Sequence, residues 1–217
     1  MHADFEFMAT KDGPILVGSS APRLAELLNQ LEGHLVRAGS ATHLLNPGLS
    51  GQRIRNQLAA SGLSAPDELI VWFGWHDGRV LDDPRSFDVI PNFPIASLSE
   101  AIERHEEFTS EFPGLDPRDE NDWGIPRGWL SLTQTNYGTA VHCLGEPSAS
   151  PQVRVATPFF YEEDGHRAVS LCTLVAWWIV GLGGGGYVRR EPRFEYDGWW
   201  DVDRARLHPL QVESLFA

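Results

Sequence analysis

The feature that most constrains this chain is a stretch of 21 residues without a charged side chain, from Ala168 to Val188. Its convincingly apolar part, Leu171 to Leu182, is too short to span a bilayer with a hydrocarbon core of about 30 Å. The stretch therefore predicts a helix buried inside a folded domain. Ser170, directly before the apolar part, is a good residue to cap the start of that helix.

Both faces of this predicted helix are apolar. One face carries Leu171, Leu174, Val175, Trp178, Ile179 and Leu182, and the other carries Cys172, Ala176, Trp177 and Val180. A helix that is apolar all round must be covered on both sides. The C-terminal tail, with Trp199 and Trp200, can cover the second face. A second chain is the alternative, and an apolar interface with a partner would then be centred on Trp177.

The chain as a whole is acidic and of ordinary globular composition. Its 217 residues suit one large domain, or one domain with an extension, and can bury a substantial core. The formal net charge of −13 argues against nucleic-acid binding, which needs clustered Lys and Arg, and suits a basic partner. The N-terminus shows no secretory signal, so Cys143 and Cys172 are interpreted as small buried side chains in a reducing compartment.

Two amphipathic helices are predicted in the first third of the chain. The first begins after Ser20, ends near Gly39 and has one stripe of leucines at helical spacing. The second begins after Ser50, carries Ile54 and Leu58, and closes at Gly62. The leucine stripe of the first helix consists of Leu24, Leu27, Leu28, Leu31 and Leu35.

Two further helices are predicted before the middle of the chain. Ser64 is predicted to cap the first of them, with Asp67 completing a capping box and Gly78 ending the helix. Ser97 and Glu100 form a second capping box, at the start of a helix with an apolar face formed by Leu98, Ala101, Ile102 and Phe108. The helix that begins after Ser64 presents Leu69, Trp72, Phe73 and His76 on one face.

Antiparallel strands are predicted mainly in the second half of the chain. Residues 129–134 and 139–144 flank a turn, as in a hairpin, and residues 153–159 alternate as a third strand. Phe87 to Ile90 are predicted as a fourth strand. Helices grouped early and strands grouped later indicate an α+β fold, with an antiparallel sheet packed against several helices.

Three sequence motifs resemble functional ones but lack what the chemistry requires. The glycines between Gly181 and Gly186 follow a predicted helix, whereas a dinucleotide site needs them between a strand and a helix. His105-Glu106-Glu107 lacks the second His of a zinc helix and is interpreted as an exposed helix face. The acidic runs Asp82-Asp83 and Glu162-Glu163-Asp164 are interpreted as solvated turns. We therefore predict a non-enzymatic protein with no catalytic residue, metal site or cofactor.

Residues 100–122, the acidic segment, hold more than half of the net charge. Only Arg104 and Arg118 oppose its nine acidic side chains. A solvated helix and loop can have this composition, and so can a surface that steers and docks a basic partner. The candidate partner-binding residues are Glu100, Glu103, Glu106, Glu107, Glu111, Asp116, Asp119, Glu120 and Asp122.

Several pieces of sequence follow one another in a recognisable order. The most distinctive is the passage from Trp72-Phe73-Gly74 into Trp75-His76-Asp77-Gly78. The others are Leu24 to Leu28, Leu45 to Ser50, Pro66 to Leu69, Ile90-Pro91, Ser97 to Ile102, Gly128 to Leu132, and Ser170-Leu171 with Trp177-Trp178. Together they resemble the SUKH superfamily, the Smi/Knr cell-wall-regulator-like domain, over about residues 20–182.

The resemblance implies a SUKH-like α+β domain without known catalytic residues. Residues 20–182 would form this domain, residues 1–19 an N-terminal extension that allows a short hairpin, and residues 183–217 a C-terminal extension packed on the domain. Bacterial members are mostly immunity proteins that neutralise a toxin, often a nuclease or a nucleic-acid deaminase, and a fungal relative regulates cell-wall synthesis. A structural role is predicted for Trp72, Trp75, His76, Asp77, Gly78 and Trp129.

These observations together predict a cytoplasmic immunity protein that occludes the basic active-site cleft of a toxin. It is expected to be a monomer or weak homodimer that binds neither nucleic acid nor membrane. One alternative is a regulatory or scaffold domain with an endogenous partner. The other is an enzyme of unrecognised type.

Overall fold

A computed structural model describes residues 5–10, 13–91, 93–111, 129–133, 140–144, 152–156, 167–191 and 200–209. These residues form an α+β fold, which confirms the predicted fold class. The helices are α1 Ala21–Arg37, α2 Gly51–Ala60, α3 Asp67–Trp75, α4 Leu98–Glu111 and α5 Leu171–Gly184. The strands are β1 Phe7–Thr10, β2 Gly13–Leu16, β3 Leu45–Pro47, β4 His76–Arg79, β5 Trp129–Ser131, β6 Ala140–Leu144, β7 Gln152–Ala156, β8 Arg167–Ser170, β9 Tyr187–Arg189 and β10 Trp200–Val202.

The largest sheet has four antiparallel strands in the order β5-β6-β7-β8. Its first three strands lie where alternation predicted strands in the second half of the chain, although β5 ends at Ser131; residues 134, 139 and 157–159 of those predictions lie outside the described residues. Three further antiparallel pairs, β1 with β2, β3 with β4, and β9 with β10, lie outside it. The first of these is the N-terminal hairpin that the sequence allowed, with Phe7 opposite Leu16.

The strand predicted at Phe87 to Ile90 is wrong. The preceding residues Pro84–Ser86 form a 3-10 turn, and Ile90 makes only an isolated bridge to Phe93. The carbonyl oxygen of Asp88 accepts hydrogen bonds from Arg189 Nη1 at 3.0 Å and Trp200 Nε1 at 2.7 Å. Side chains of the paired strands β9 and β10 therefore bind a backbone carbonyl that a neighbouring strand would need.

The core is built around α1 and α5, which pack against each other. All five predicted leucines of α1 are buried, and Ser20 Oγ accepts from Arg23 N as its cap. In α5 every residue from Leu171 to Ile179 is buried, and Ser170 Oγ accepts from Thr173 N. Among the described residues no helix is long and apolar enough to cross a membrane.

Both faces of α5 are covered by the same chain, so a second chain is not needed to bury them. The Phe7 ring of the N-terminal hairpin lies 6.2 Å from the Trp177 ring, and Leu16 N donates to Thr173 Oγ1. At its far end α5 meets the C-terminal residues, because a Cβ at Gly181 would lie 2.6 Å from the Tyr187 ring. The N-terminal hairpin and the tail therefore both cover α5, whereas the sequence predicted that the tail or a second chain would do so.

The predicted start of α3 at Ser64 is wrong. The helix begins at Asp67, and the residue before it, Pro66, is extended with ψ 147° and makes no side-chain cap. Ala65 precedes a proline, which disfavours the helical conformation at that position. Asp67 and Glu68 then occupy the first turn, where acidic side chains interact favourably with the helix dipole.

The predicted end of α3 at Gly78 is also wrong. The helix ends at Trp75, and His76, with φ −145° and ψ 142°, begins β4. Gly78 has the predicted left-handed conformation, with φ 73°, but it lies within β4 rather than at a helix end. Asn46 on β3 explains the early change to a strand, since its side chain Nδ2 donates to the carbonyls of Asp77 and Arg79.

Candidate functional site

The acidic helix α4 starts at a fixed point in the fold. Glu100 N donates to Ser97 Oγ at 3.2 Å, and Ser97 N donates to Glu100 Oε2 at 2.7 Å. This is the predicted capping box. A third hydrogen bond, from Leu98 N to Asp77 Oδ1 at 2.7 Å, comes from β4. The otherwise unsatisfied N–H groups of the first turn are thus held by side chains from two parts of the chain.

The passage Trp72 to Gly78 supplies the base on which α4 rests. Trp72 is fully buried, and Trp75 is half-buried with its ring 5.9 Å from the Trp72 ring. A Cβ at Gly78 would lie 2.6 Å from the backbone nitrogen of Ser97, so the two segments approach more closely than any other residue allows. Trp129 was also assigned a structural role. Only its backbone is described, and this backbone pairs with Leu144 of β6.

One face of α4 is fixed against the rest of the domain. Leu98, Ala101 and His105 are buried, and Arg104 Nη1 donates to the Thr133 carbonyl at 2.6 Å. The prediction that His105 lies on an exposed face is therefore wrong. Its spacing of four residues from Ala101 places it on the apolar face, next to the position where helical periodicity predicts a core residue.

The opposite face of α4 carries the acidic side chains. Glu103, Glu106 and Glu107 are exposed, and we call these three residues the acidic face. Glu103 and Glu107 are one helical turn apart and project on the same side. Glu106 Oε1 accepts a hydrogen bond from Ser61 Oγ at 2.7 Å, which ties the acidic face to the end of α2.

The structure brings together only part of the predicted acidic segment. Glu100 is half-buried and its carboxylate is engaged in the capping box, so it contributes to the start of α4 rather than to an open surface. Glu111 is the last residue of α4, and its side chain lies outside the described residues. The remaining four predicted residues also lie outside them: Asp116, Asp119, Glu120 and Asp122.

A buried polar cluster, which sequence reasoning missed, lies behind the start of α4. It consists of the buried Arg79 and Asp88 with the half-buried Glu100 and Arg104, and each of the other three acts electrostatically on Arg79. Burial lowers the pKa of Arg79, and Glu100 and Asp88 oppose this effect. Arg79 Nη1 also donates to Ser86 Oγ at 3.2 Å. No local pattern predicts this cluster, because β4, the segment that holds Asp88 and α4 meet only after folding.

Among the described residues, no group of three or more His, Cys, Asp and Glu side chains converges as a metal site would require. Cys172 is fully buried, and burial raises the pKa of its thiol to about 11. The thiol therefore stays protonated at neutral pH and is a poor nucleophile or metal ligand. The acidic face, in contrast, can attract and orient a cationic group.

Comparison with known proteins adds no relative to this description: no family model matches the chain, and no curated protein matches it. The resemblance to the SUKH superfamily therefore stays a prediction from the sequence.

Proposed function

We propose that this chain is a non-enzymatic immunity protein that neutralises a nuclease or nucleic-acid deaminase toxin by occupying its basic active-site cleft. The observation that carries the proposal is the acidic face, three exposed carboxylates on a helix whose start is held by three hydrogen bonds. An enzyme that acts on nucleic acid needs a basic cleft, because it must grip phosphate groups. Carboxylates placed on one face can complement that cleft.

The way α4 is held supports such a role. Asp77 holds the start of the helix by accepting from Leu98 N, and Ser61 contacts its side by donating to Glu106. Arg104 of the helix donates to the carbonyl of Thr133, which follows β5. A surface that is already ordered loses less conformational entropy when a partner binds. The net charge of −13 adds a long-range field that accelerates the approach of a basic protein.

The proposal is tested by first capturing the partner and then changing the acidic face. Chemical cross-linking of the full chain in its native cell, followed by mass spectrometry, identifies the bound protein. Association of that purified protein is then measured by stopped flow for the wild type and for the double variant Glu103→Lys, Glu107→Lys. We expect association to slow by about tenfold or more, and the difference to shrink at high salt.

A matched control separates the acidic face from net charge alone. The double variant Glu6→Lys, Asp82→Lys reverses two exposed acidic residues elsewhere and changes the net charge by the same amount. It should slow association far less. Equal slowing by both variants, or no slowing by the α4 variant, would contradict docking through the acidic face. An endogenous partner without toxicity would favour the regulatory or scaffold alternative.

A further inference from the structure

His76, at the junction of α3 and β4, has one ring nitrogen whose protonation state is set by its neighbour. Its Nδ1 lies 2.9 Å from the carbonyl oxygen of Asn46 on β3. A carbonyl oxygen can only accept a hydrogen bond, so Nδ1 carries the proton. In the neutral ring, Nε2 is then an acceptor with a free lone pair.

Nε2 of His76 faces a carboxylate on another helix. The atom is buried and has no hydrogen-bond partner among the described residues, and Glu32 Oε1 of α1 lies 3.9 Å from it. The other oxygen, Glu32 Oε2, accepts from Trp75 Nε1 at 3.1 Å, which keeps the carboxylate in place. With a neutral ring, two acceptors therefore face each other across this gap.

We propose that protonation of His76 joins α1 to the α3–β4 junction through an ion pair with Glu32, and we call this pair the clamp. A proton taken from solvent by Nε2 turns this atom into a donor and the ring into a cation opposite the Glu32 carboxylate. Protonation of Nε2 would therefore close the clamp by placing a donor and a positive charge opposite Glu32. This inference does not depend on the proposed function.

Among the groups around His76, Glu32 is the acid that can pair with the protonated ring. β3 presents the Asn46 carbonyl and α3 presents the Trp75 indole, and both are uncharged. On β4, the Asp77 carboxylate accepts from the start of α4, and Arg79 belongs to the buried polar cluster. Glu32 is 40% exposed at its side chain, so a small rotation can shorten the 3.9 Å separation to an ion pair.

Two other histidines respond to acid in the opposite direction, so the test must isolate His76. Burial lowers the pKa of His34 and of His208, and protonation of either ring disfavours the folded state. The effect of pH on the whole protein therefore mixes opposing contributions. A double-mutant cycle between Glu32 and His76 removes the contributions that the two residues do not share.

The experiment measures urea unfolding of the full chain at pH 5.5 and pH 8 for the wild type, Glu32→Ala, His76→Asn and the double variant. Ala removes the carboxylate without placing a new donor opposite Nε2, and the lost hydrogen bond to Trp75 is common to both arms of the cycle. The Asn amide keeps a donor for the Asn46 carbonyl. We expect a coupling of about two- to fivefold in the unfolding equilibrium constant at pH 5.5, and none at pH 8. Equal coupling at both pH values would overturn the proposal. The cycle repeated with exposed His43→Asn should show no coupling.

A second measurement covers the case in which a variant fails to fold. The indole N–H resonance of Trp75 reports on Glu32, to which it is hydrogen-bonded. In the wild-type protein it should shift in step with the ring signals of His76 as the pH is lowered. An indole resonance that stays constant while His76 titrates would also overturn the proposal.

Discussion

The helices α4 and α5 have the same length of 14 residues but are held in the fold in different ways. From Leu171 to Ile179, α5 is buried on all sides, and packing fixes it. α4 buries one face, presents carboxylates on the other, and is fixed at its start by hydrogen bonds from side chains. A strongly apolar helix therefore need not be a binding surface, since the fold can bury it within its own core.

This difference removes one candidate interface. The sequence left open an apolar interface centred on Trp177, in which a second chain covers the outer face of α5. Trp177 is fully buried in the single chain, next to Phe7 and within the core cluster. Of the two surfaces, only the one on α4 is available to a partner.

The largest expected effect comes from breaking the base of α4 at Gly78. Gly78→Val should lower the free energy of unfolding by at least about 2 kcal/mol, because a branched side chain tolerates a positive φ poorly. The added Cβ would also lie 2.6 Å from Ser97 N. Urea unfolding measures the loss.

Gly62→Val is the matched control for Gly78→Val. Gly62 has φ 72°, nearly the same as Gly78, but no atom lies within 4 Å of an added Cβ. It should therefore lose only the conformational part, about 1–2 kcal/mol. Equal losses in the two variants would show that the close approach to Ser97 contributes nothing to stability.

Local patterns predicted the elements that depend on local chemistry. The leucine stripe of α1 and the capping serines Ser20, Ser50 and Ser97 all lie where spacing and cap chemistry placed them. The failure at Ser64 also has a local cause, since the restriction that a proline imposes on the preceding residue outweighed an attractive cap.

Other features could not be predicted because they depend on which elements meet. The hydrogen bond from Leu98 N to Asp77 joins residues 21 positions apart, and Trp200 to Asp88 joins residues 112 apart. The capping-box pattern predicted that Glu100 caps α4, but no sequence pattern predicted that Glu100 also acts on Arg79. The acidic composition of the candidate site was predictable, but its exposure had to come from the fold.

A second, intermediate effect concerns the far end of α5 and its dependence on pH. The imidazole of His34 lies against Gly183, since a Cβ there would lie 3.3 Å from His34 Cε1. Burial, followed by the charge of Arg37, lowers the pKa of His34. The unfolded chain therefore takes up the proton first, so this contribution to stability is complete above about pH 6.5 and is lost as pH falls through the folded-state pKa.

His34→Gln should therefore reduce the decline in stability between pH 7.5 and pH 5. The measurement is the slope of the free energy of unfolding against pH for the wild type and the variant. His43→Gln, which changes an exposed histidine, should leave that slope as it is. A slope that His34→Gln does not alter would show that the contact of α1 with the end of α5 tolerates the charged ring.

The smallest expected effect distinguishes a docking face from an ordinary solvated helix. Glu103 and Glu107 are like charges one turn apart, and Glu107 lies toward the C-terminal end of α4, where the helix dipole disfavours an acid. Glu107→Gln should therefore raise the free energy of unfolding by about 0.2–0.5 kcal/mol at low salt. The gain should disappear in about 1 M salt, where exposed charges are screened.

Glu106→Ala provides the contrast to Glu107→Gln on the same face, because it removes the acceptor of the 2.7 Å hydrogen bond from Ser61. It should lower the free energy of unfolding by about 0.5–1 kcal/mol, with little dependence on salt. Opposite signs for these neighbouring acids would mean that Glu106 holds the helix in place while Glu107 is retained against stability. A carboxylate that lowers stability is expected where a cationic partner binds. If Glu107→Gln does not raise the free energy of unfolding, α4 is an ordinary solvated helix.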